Sequence, residues 1–517
     1  VGGQEVLMPV VMPRELWDES GRYEAVGSEL VRFSDRTGHD MLLGMTHEEA
    51  VVHLCRNELS SHAQLPFMVY QIQTKFRDEP RSRGGLIRVR EFTMKDAYSF
   101  HATQEDLEGY YQVCYKAYQR IFARAGLPEV VVVQSDTGMM GGSVAHEFML
   151  LTEVGEDTIV TTENGSYLAN LEVATGRIAG FPEEPKPLEK VHTPDCKTIE
   201  EVAGFLGVET RQTAKAVFYD HDSDGKVVLA VVRGDRDINE AKLAKIIQAE
   251  PVPASDERIR AAGAEPGFAS AMGLDLSKWR LVVDHTVAAS NNLVAGANEV
   301  DYHFKNFNLE RDTPGVATVD VVEAQEGDLS PVDDQPLVFT RGIEVGNIFQ
   351  LGTKYTESMA MTYHDESGAD RVPIMGCYGI GVGRLMSSVM EVRHDKFGPQ
   401  WPIAIAPWQV HLNALKMTAP GVRDAAERLY ADLTAAGVEV LYDDRDARPG
   451  FQFADADLLG IPFRLVVSER NLGEGALEWK RRDTGDKGTI PLEGAVDTVK
   501  GWIAEAMAEI ERVADAY

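Results

Sequence analysis

The chain is poor in cysteine, with four residues of this type among 517, namely Cys55, Cys114, Cys196 and Cys377. None of them forms a CxxC pair, so the sequence lacks the usual signature of a disulfide scaffold or of a zinc site. We therefore expect four reduced thiols and no bound zinc.

Long apolar runs are also missing. No stretch approaches the roughly 18 uninterrupted apolar residues of a membrane span, and no signal peptide opens the sequence. We expect a cytoplasmic protein with no membrane partner. The sequence begins at Val1 just before a predicted strand over residues 5–13, and we expect that an N-terminal segment precedes it in the full protein.

Two nucleotide-binding signatures fail. A GxxxxGK[ST] phosphate loop is absent, and the run from Gly379 to Arg384 does not complete GxGxxG, because Arg384 stands where the third glycine would be. No βαβ unit with a ribose-binding acid frames this run either. These failures exclude a P-loop ATPase and a dinucleotide-binding domain of the common type.

Positive charge is scarce, since 51 lysines and arginines face 82 acidic residues and the net charge is −31. A protein that coats nucleic acid would need the opposite balance, because contacts to phosphates supply most of the non-specific affinity. Two local basic clusters remain, at residues 75–90 and 480–482. The chain could therefore still hold a single RNA at a few places.

The length is too great for one hydrophobic core, and alternating helical and strand patterns predict a multidomain α/β protein. Two linkers rich in proline and acidic residues, 182–187 and 323–335, flank a module that we interpret as inserted into a host domain. The predicted host domain has two parts, residues 1–160 and 331–405. The inserted module with its linkers covers residues 161–330, and a C-terminal α/β domain covers residues 406–517.

The first positive signal is an arginine-rich hairpin over residues 74–92. Its arginines, among them Arg77 and Arg88, have the planar fork that binds phosphate oxygens in pairs. Glu79 can accept from an exocyclic amine, and Phe92 offers a flat face to a base. The alternative is an exposed hairpin whose charges are merely solvated or paired with one another.

The second signal is Gly379-Ile-Gly381-Val-Gly383-Arg384, in which glycines two apart share one face of a strand and allow a ligand close to the backbone. With the hairpin, this run resembles motifs 2 and 3 of the class II aminoacyl-tRNA synthetases. The resemblance implies an antiparallel β-sheet catalytic core flanked by helices. It also implies that Arg77 and Arg384 are catalytic, and that ATP with Mg²⁺ is bound by a larger set: Arg77, Glu79, Arg88, Phe92, Glu344, Gln350 and Arg384.

Within that class, Thr46-His47-Glu48 is similar to the TxE loop of the bacterial prolyl-tRNA synthetases, as are residues 90–101, 342–352 and 376–379. The family's roles imply that Arg77 contacts the α-phosphate, Phe92 stacks under adenine, and Arg384 meets the γ-phosphate. Glu344 would hold Mg²⁺ through ATP. The implied proline-binding residues are Thr46, Glu48, Arg77, His101 and Cys377. Taken alone, Glu48 could equally be an acidic charge at a helix N-terminus.

The inserted module resembles the editing insertion of the same enzymes, which hydrolyses alanyl-tRNA(Pro). The implied editing residues are Thr193, Lys215, Asp284 and His303. A solvated strand lysine at 215 and a satisfied core histidine at 303 are the alternatives. The sequence also departs from the family where Ala271-Met272 replaces an expected proline-valine.

The C-terminal domain resembles the anticodon-binding domain of several class II enzymes, and Asp444, Arg445 and Arg448 are candidate readers of anticodon bases. A turn whose charges pair with each other is the alternative. The implied partners are tRNA(Pro), L-proline, ATP and a second copy in a homodimer. A threonyl or glycyl enzyme is disfavoured by the missing zinc ligands and by the position of the insertion. A relative that binds tRNA without activity is disfavoured because Arg77, Glu79, Phe92 and Arg384 are all intact.

Overall fold

The computed structural model describes residues 1–275 and 277–517, with the side chain of Met139 also outside the description. The described chain divides into two compact units. The first unit comprises Val1–Val132, Met139–Thr152 and Ile343–Tyr517, and the second comprises Val133–Gly138 and Glu153–Gly342. Among the described residues, no helix is both long and apolar enough to cross a membrane.

The core of the first unit is a mostly antiparallel sheet. Its strands lie side by side in the order Gln4–Glu5, Phe67–Phe76, Glu91–His101, Ile374–Gly381, the C-terminal part of Leu337–Gly352, and Val144–Leu151. The first pair is parallel, and the next three pairs are antiparallel. The long strands form because β-branched and aromatic residues recur in them and fit a pleated, buried surface.

Helices cover this sheet. Gln104–Arg124 begins at Thr103, whose side chain accepts from the Asp106 amide, and its buried aromatic side chains pack against the sheet through Tyr378. The other elements of this part are the helices Arg14–Asp18, Arg22–Ala25, Glu48–Cys55, Lys354–Ser358 and Val382–Val392, the 3₁₀ turns His62–Gln64 and Gly138–Met140, and the strands Val11–Pro13, Arg32–Ser34, Asp40–Leu43, Tyr363–His364, Asp370–Arg371, His394–Asp395 and Gly398–Pro399.

The C-terminal part of the first unit has its own sheet, in the order Val440–Asp443, Val410–Ala414, Phe463–Val467, Ala476–Arg481 and Lys487–Pro491. The first three strands are parallel and the last two are antiparallel additions. The helices that accompany them are Val422–Ala435, Pro449–Leu459, Glu469–Gly473 and Ala495–Ala514.

The second unit contains a four-stranded sheet in the order Ala214–Tyr219, Val227–Arg233, Trp279–Asp284 and Thr318–Val319, and a three-stranded one in the order Glu189–His192, Tyr302–Phe307 and Leu293–Gly296. Asp157–Thr162 pairs with Leu168–Asn170 and with the N-terminal end of Leu337–Gly352. The strand Val131–Ser135 enters the unit at residue 133. The remaining elements are the helices Ile199–Leu206, Glu240–Ile247, Asp256–Ala262, His285–Ala288 and Leu309–Asp312, and the 3₁₀ turn Thr210–Gln212.

Two element predictions were wrong. The strand expected over residues 5–13 is two short strands, Gln4–Glu5 and Val11–Pro13, separated by a stretch that contains Pro9. Proline has no N–H to donate to a ladder. The apolar spacing predicts a helix over residues 48–60, but the helix that begins at Glu48 ends at Cys55. The predicted domain boundaries stay a prediction. The second unit comprises Val133–Gly138 and Glu153–Gly342, so its bounds differ from those of the predicted module, residues 161–330.

Candidate active site

A pocket on the sheet of the first unit brings most of the predicted ATP-binding side chains together. Glu344 lines it at one side and Gly379 and Gly381 form part of its floor. The other predicted residues that line it are Arg77, Glu79, Arg88, Phe92 and Arg384. The hairpin and the glycine run, about 300 residues apart in sequence, therefore meet in one cavity.

Arg384 is held by three contacts at the start of the helix Val382–Val392. Its Nε donates to the carbonyl of Ile87 at 2.9 Å. Its Nη1 donates to the carbonyl of Glu344 at 3.2 Å and to Oε2 of that residue at 2.9 Å. These contacts fix the guanidinium against the hairpin, where a phosphate could meet it in a defined orientation.

Glu344 is fixed from the other side by Asn347, whose Nδ2 donates to Oε1 at 2.6 Å. Gly379 faces Asn347 across the sheet, and a Cβ there would lie 2.8 Å from its Oδ1. Glycine at this position therefore leaves room for the amide that orients Glu344.

Arg77 lies over the ring of Phe92, with 5.4 Å from its Cζ to the ring centre. Its Nε is buried and has no hydrogen-bond partner among the described residues. Burial lowers the pKa of Arg77, with Glu344 acting in the opposite direction, yet an arginine keeps its proton. An unsatisfied buried donor beside an aromatic face suits a bound anion such as a phosphate oxygen.

The predicted salt-bridge alternative for the hairpin is present in part. Arg88 Nε lies 3.7 Å from Oε2 of Glu79, and both side chains still line the pocket. The pair is long for a hydrogen bond, so a nucleotide could replace it at small cost.

The second part of the site surrounds Glu48, the first residue of the helix Glu48–Cys55. Its side chain is fully buried, and Oε2 accepts from the hydroxyl of Thr46 at 2.5 Å and from Nη1 of Arg22 at 3.5 Å. Oε1 accepts from Sγ of Cys377 at 3.4 Å. Burial, with Glu48 next, raises the pKa of Cys377 well above its usual value, so this thiol is protonated. The structure brings together three of the predicted proline-binding residues.

A buried ion pair lies beside these residues. Nζ of Lys75 is 2.7 Å from Oδ1 of Asp96, whose Oδ2 accepts from Tyr98 at 2.8 Å and from Gln71 at 2.9 Å. Lys75 lies two residues before Arg77 in the chain, and its charge interacts with that of Glu48. The pair therefore adjoins both the arginine-rich hairpin and the surroundings of Glu48.

The structure does not bring His101 to this face. Tyr98 and Cys377 are register partners and share a face, whereas Ser99 and His101 alternate to the other side of the sheet. There, His101 bonds to Oγ of Ser99 and to Asp106, each at 2.8 Å. Its expected contact with proline is therefore not carried into our proposal.

Gln350 likewise lies on the far face. It is next to Phe349, the register partner of Cys377, and it accepts from Nε2 of Gln104 at 2.9 Å. It does not line the nucleotide pocket. The expected ATP contact of Gln350 is dropped for this reason.

A pocket in the second unit contains His303 and Lys215. Thr193 is buried behind it, with Oγ1 2.6 Å from Nδ1 of His303. Burial lowers the pKa of His303, which favours the neutral ring. Nζ of Lys215 donates to the carbonyl of Arg236 at 3.0 Å and to Asp237 at 2.6 Å.

Asp284 lies elsewhere in this unit. Its Oδ1 accepts from the Thr286 amide at 2.7 Å, and its Oδ2 accepts from the Val321 amide at 2.9 Å. Both oxygens thus cap backbone groups, and the residue does not line the pocket. The expectation that it orients a substrate ester is not carried further.

The segment that contains Ala271 and Met272 is held in place by Asn298, whose Nδ2 donates to the carbonyl of Met272 at 2.8 Å. Gly296 lies directly below it, because a Cβ at that position would be 2.2 Å from the carbonyl of Phe268. The departure from the expected proline-valine therefore sits in a fixed loop that borders the pocket through Gly267 and Ala269.

In the C-terminal part, Arg445 makes a two-pronged ion pair with Asp443, at 2.9 Å for each bond, and reaches Asp455 at 2.8 Å. Asp444 lines a shallow pocket with Arg445, whereas Arg448 is the residue before the helix Pro449–Leu459. Arg445 is thus paired with neighbouring carboxylates, as the alternative predicted for this residue, whereas Asp444 and Arg448 are exposed.

Sequence reasoning missed Arg22, Glu49, Lys75 and Asp96, which are buried around Glu48. For Glu49 and Arg22 a signal was present, because a second glutamate directly after Glu48 on a predicted helix could have prompted a search for a cation. For the others no local pattern exists, because Lys75 and Asp96 meet only once the two strands pair.

Comparison with known proteins identifies the family of the chain. Residues 31–393 match the class II tRNA synthetase core domain of the G, H, P, S and T enzymes, and residues 405–502 match an anticodon binding domain. The proline--tRNA ligase of Salinispora tropica is 46% identical over 520 residues, covering 99% of this chain and 87% of the relative. That of Bacillus subtilis is 47% identical over 493 residues, covering 95% and 86%.

A solved prolyl-tRNA synthetase from Cryptosporidium parvum, complexed with halofuginone and AMPPNP, superposes with a TM-score of 0.56 at 12% identity and covers 99% of this chain and 70% of that one. At this identity the likeness concerns the fold alone, and it confirms the predicted fold class. The bacterial relatives supply the rest of the argument. The chain belongs to the bacterial-type proline--tRNA ligases, with a class II synthetase core and an anticodon-binding domain.

Proposed function

We propose that the protein activates L-proline with ATP and transfers it to tRNA(Pro). The observation that carries this proposal is the position of Glu48. A buried carboxylate whose one cationic contact, to Arg22, is long at 3.5 Å lies on the face of the sheet that leads to Arg77 and Arg384. The secondary ammonium of proline fits the carboxylate of Glu48, and a triphosphate fits the guanidinium groups of Arg77 and Arg384.

The chemistry needs no side-chain nucleophile. An oxygen of the proline carboxylate attacks the α-phosphorus, the bond to the bridging oxygen breaks, and pyrophosphate leaves with the electron pair. A ribose hydroxyl at the tRNA 3′ end then attacks the carbonyl carbon of the adenylate, and AMP leaves. Arg77 binds the α-phosphate and Arg384 the terminal one, so catalysis rests on positioning and on charge complementarity.

The residues of the nucleotide pocket fit Mg²⁺ bound through ATP. Glu344 is a carboxylate beside the expected phosphates, and Mg²⁺ usually takes one or two carboxylates plus phosphate oxygens and water. Among the described residues, no cluster of three or more acidic, histidine or cysteine side chains could hold the ion alone. When bound, the ion neutralises negative charge on the phosphates.

The test is pyrophosphate exchange into ATP, measured with each standard amino acid on the wild type and on Arg77→Ala. We expect exchange with proline and weaker exchange with alanine, both lost in the variant. Transfer of labelled proline to tRNA(Pro) completes the assay. A folded enzyme that exchanges best with another amino acid would overturn the proposal.

The second unit is proposed to hydrolyse alanyl-tRNA(Pro). A pocket that admits proline cannot strongly exclude alanine, because each lost methylene is worth only about 1–3 kcal/mol. The support is the pocket that contains His303 and Lys215, with Thr193 fixing the histidine ring. We propose that Lys215 binds the 3′ end of the tRNA and that His303 orients the ester.

The editing assay follows the release of alanine from preformed alanyl-tRNA(Pro). Lys215→Ala and His303→Ala are expected to slow this release while pyrophosphate exchange with proline stays at its wild-type rate. Thr193→Val is a matched test of ring orientation, because it removes one hydroxyl and keeps the shape. Release that is unchanged in the His303 variant would contradict the assignment.

We propose that residues 1–160 and 331–405 form the synthetase core. Residues 161–330 are the proposed editing module, and residues 406–517 are the proposed anticodon-binding domain. Asp444 and Arg448 are proposed to meet anticodon bases, and Arg445 to do so only if its bonds to Asp443 and Asp455 open. An enzyme of this kind acts in the cytoplasm.

We also propose a homodimer. Val382, Met386 and Met390 are exposed at one-turn spacing on the helix Val382–Val392, so this face presents an unpartnered apolar stripe. Light scattering of the full protein tests the proposal, and Met386→Lys with Met390→Lys should shift a dimer towards monomer.

A further inference from the structure

Glu48 belongs to a buried cluster of three charged side chains. Arg22 is 3% exposed, and Glu48 and Glu49 are fully buried. Burying an ionised carboxylate costs several kcal/mol unless a cation and hydrogen bonds compensate it. Two adjacent buried carboxylates with one guanidinium therefore need an explanation beyond the binding of one substrate ammonium.

The guanidinium of Arg22 does not contact the carboxylates of Glu48 and Glu49 equally. Nη1 of Arg22 donates to both oxygens of Glu49, at 3.0 and 3.2 Å, but lies 3.5 Å from the nearer oxygen of Glu48. Glu49 also accepts from Oγ of Ser20 at 2.7 Å. Burial raises the pKa of Glu49, and the charge of Arg22 opposes this rise. Arg22 is thus the principal partner of Glu49 and makes a single, longer contact with Glu48.

Aromatic rings fix Arg22 in this position. Its Cζ lies 4.7 Å from the ring centre of Trp17 and 5.5 Å from that of Tyr355. Both rings are fully buried. The rings therefore hold the guanidinium on its faces, and its bonds to Glu49 determine which of the two carboxylates its edge meets closely.

The other charged groups nearby leave Glu48 uncompensated. Lys75 is paired with Asp96 at 2.7 Å and adds no net charge. Lys354 is exposed, and although its charge still reaches Glu48 and Glu49, water screens it in part. Cys377, which donates to Glu48, is neutral. The described buried groups around Glu48 thus carry one negative charge in excess.

We propose that Glu49 is a positioning residue whose ion pair with Arg22 keeps that cation away from Glu48, so that Glu48 stays available for the ammonium of proline. The inference rests on the proposed role of Glu48 and extends it. Without Glu49, Arg22 would close on Glu48, and the cluster would become neutral before the substrate arrives. Arg22 and Glu49 act on the affinity without touching the substrate.

The first test is Glu49→Gln, which keeps the shape and removes one charge. The Kd of L-proline, measured by equilibrium dialysis with labelled ligand on the full chain, should rise about tenfold or more, because a buried charge of opposite sign now competes with the ammonium. A Kd within about twofold of the wild type would overturn the proposal.

The second test removes the pair altogether. The double variant Arg22→Met/Glu49→Gln restores one negative charge in excess, so proline affinity should return to within about threefold of the wild type. A double variant that binds as weakly as Glu49→Gln, or more weakly, would show that the pair acts only through packing and would overturn the proposal.

A ligand without the ammonium separates charge from shape. Tetrahydrofuran-2-carboxylate carries oxygen in place of the ring nitrogen, and its affinity is measured as inhibition of proline-dependent pyrophosphate exchange. Glu49→Gln should leave this inhibition constant unchanged within about twofold, because the effect acts on a positive charge. Equal losses for proline and for the oxygen analogue would contradict the proposal.

Two further variants complete the design. The exposed pair Arg14 and Glu24, 2.8 Å apart, is the matched control, and Arg14→Met/Glu24→Gln should not change the Kd of proline. Glu48→Gln tests the underlying function. If proline binding survives Glu48→Gln, the proposed role of Glu48 fails; if it is lost there but unaffected by Glu49→Gln, only the present inference fails.

Discussion

Arg384 holds Glu344 by two bonds, one from Nη1 to the backbone carbonyl at 3.2 Å and one from the same nitrogen to Oε2 at 2.9 Å. These residues are 40 positions apart, with Arg384 in the helix Val382–Val392 and Glu344 in the strand Leu337–Gly352. The glycine run and the long strand are therefore joined by a charged contact in the cavity where the phosphates of ATP are proposed to lie.

Glu344→Gln should weaken this contact and the proposed binding of Mg²⁺ together. We expect the KM for ATP to rise and kcat to fall, each by about tenfold, because charge-assisted hydrogen bonds are roughly twice as strong as neutral ones. Pyrophosphate exchange at varied ATP and Mg²⁺ measures both. The exposed Glu493→Gln is the control, and an unchanged KM in Glu344→Gln would refute the contact's role.

Arg77→Lys should keep the charge and lose the planar fork. Loss of one preorganised donor to a developing negative charge typically costs about 10²–10³ in kcat. We expect a fall of this size with a Kd for proline that changes by less than about threefold. Single-turnover adenylate formation measures the step, and a rate near that of the wild type would contradict the assignment.

Asp96→Asn should destabilise the first unit strongly. It leaves Lys75 buried without its counter-ion, which typically costs about 3–5 kcal/mol of the free energy of unfolding. Denaturant unfolding measures this loss. The exposed pair Arg423 and Glu427, 3.6 Å apart, provides the comparison, since Glu427→Gln should cost at most about 0.5 kcal/mol. Equal losses in the two variants would be inconsistent with a tight buried pair.

The buried His47 should make stability depend on pH. Burial, with Lys75 next, lowers the pKa of His47 from 6.5 to about 4, and Nε2 donates to the carbonyl of Pro9 at 3.0 Å. The unfolded chain therefore binds a proton below pH 6.5 that the folded chain does not bind until about pH 4. Stability is fully present above pH 6.5 and falls by about 3 kcal/mol as the pH drops towards 4.

Unfolding measured between pH 4 and 7.5 on the wild type and on His47→Asn tests this dependence. His411 in the C-terminal part has a pKa lowered to about 4 by burial as well, and His411→Asn separates its share. A slope that is the same in the wild type and in both variants would show that neither histidine is responsible.

The sequence was sufficient to locate the residues that belong to a recognisable motif. Arg77, Phe92 and Arg384 were predicted from the resemblance of the arginine-rich hairpin and the glycine run to motifs 2 and 3, and all three line one pocket, while their roles stay a prediction. The alternating pattern of the C-terminal domain also predicts a helix over residues 495–514, and the structure has one at Ala495–Ala514. The strands Ala476–Arg481 and Lys487–Pro491 were missed, because their charged and glycine residues obscure the strand pattern.

The sequence could not predict on which face of the sheet a strand residue lies, because this depends on how the strands pair. His101 and Gln350 lie in strands that were correctly associated with the site, yet alternation along the strand places them on the other face. Asp284 has the right residue type, but its two oxygens are used to cap backbone amides. A sequence motif gives residue types, and only strand register decides which of them reach the pocket.

The most direct test of the account is amino-acid-dependent pyrophosphate exchange on the wild type, Glu48→Gln and Arg77→Ala. We predict strong exchange with proline in the wild type. Glu48→Gln should raise the KM for proline far more than that for ATP, and Arg77→Ala should abolish exchange. Proline exchange with an unchanged KM for proline in Glu48→Gln, or no exchange with any amino acid in the folded wild type, would contradict the account.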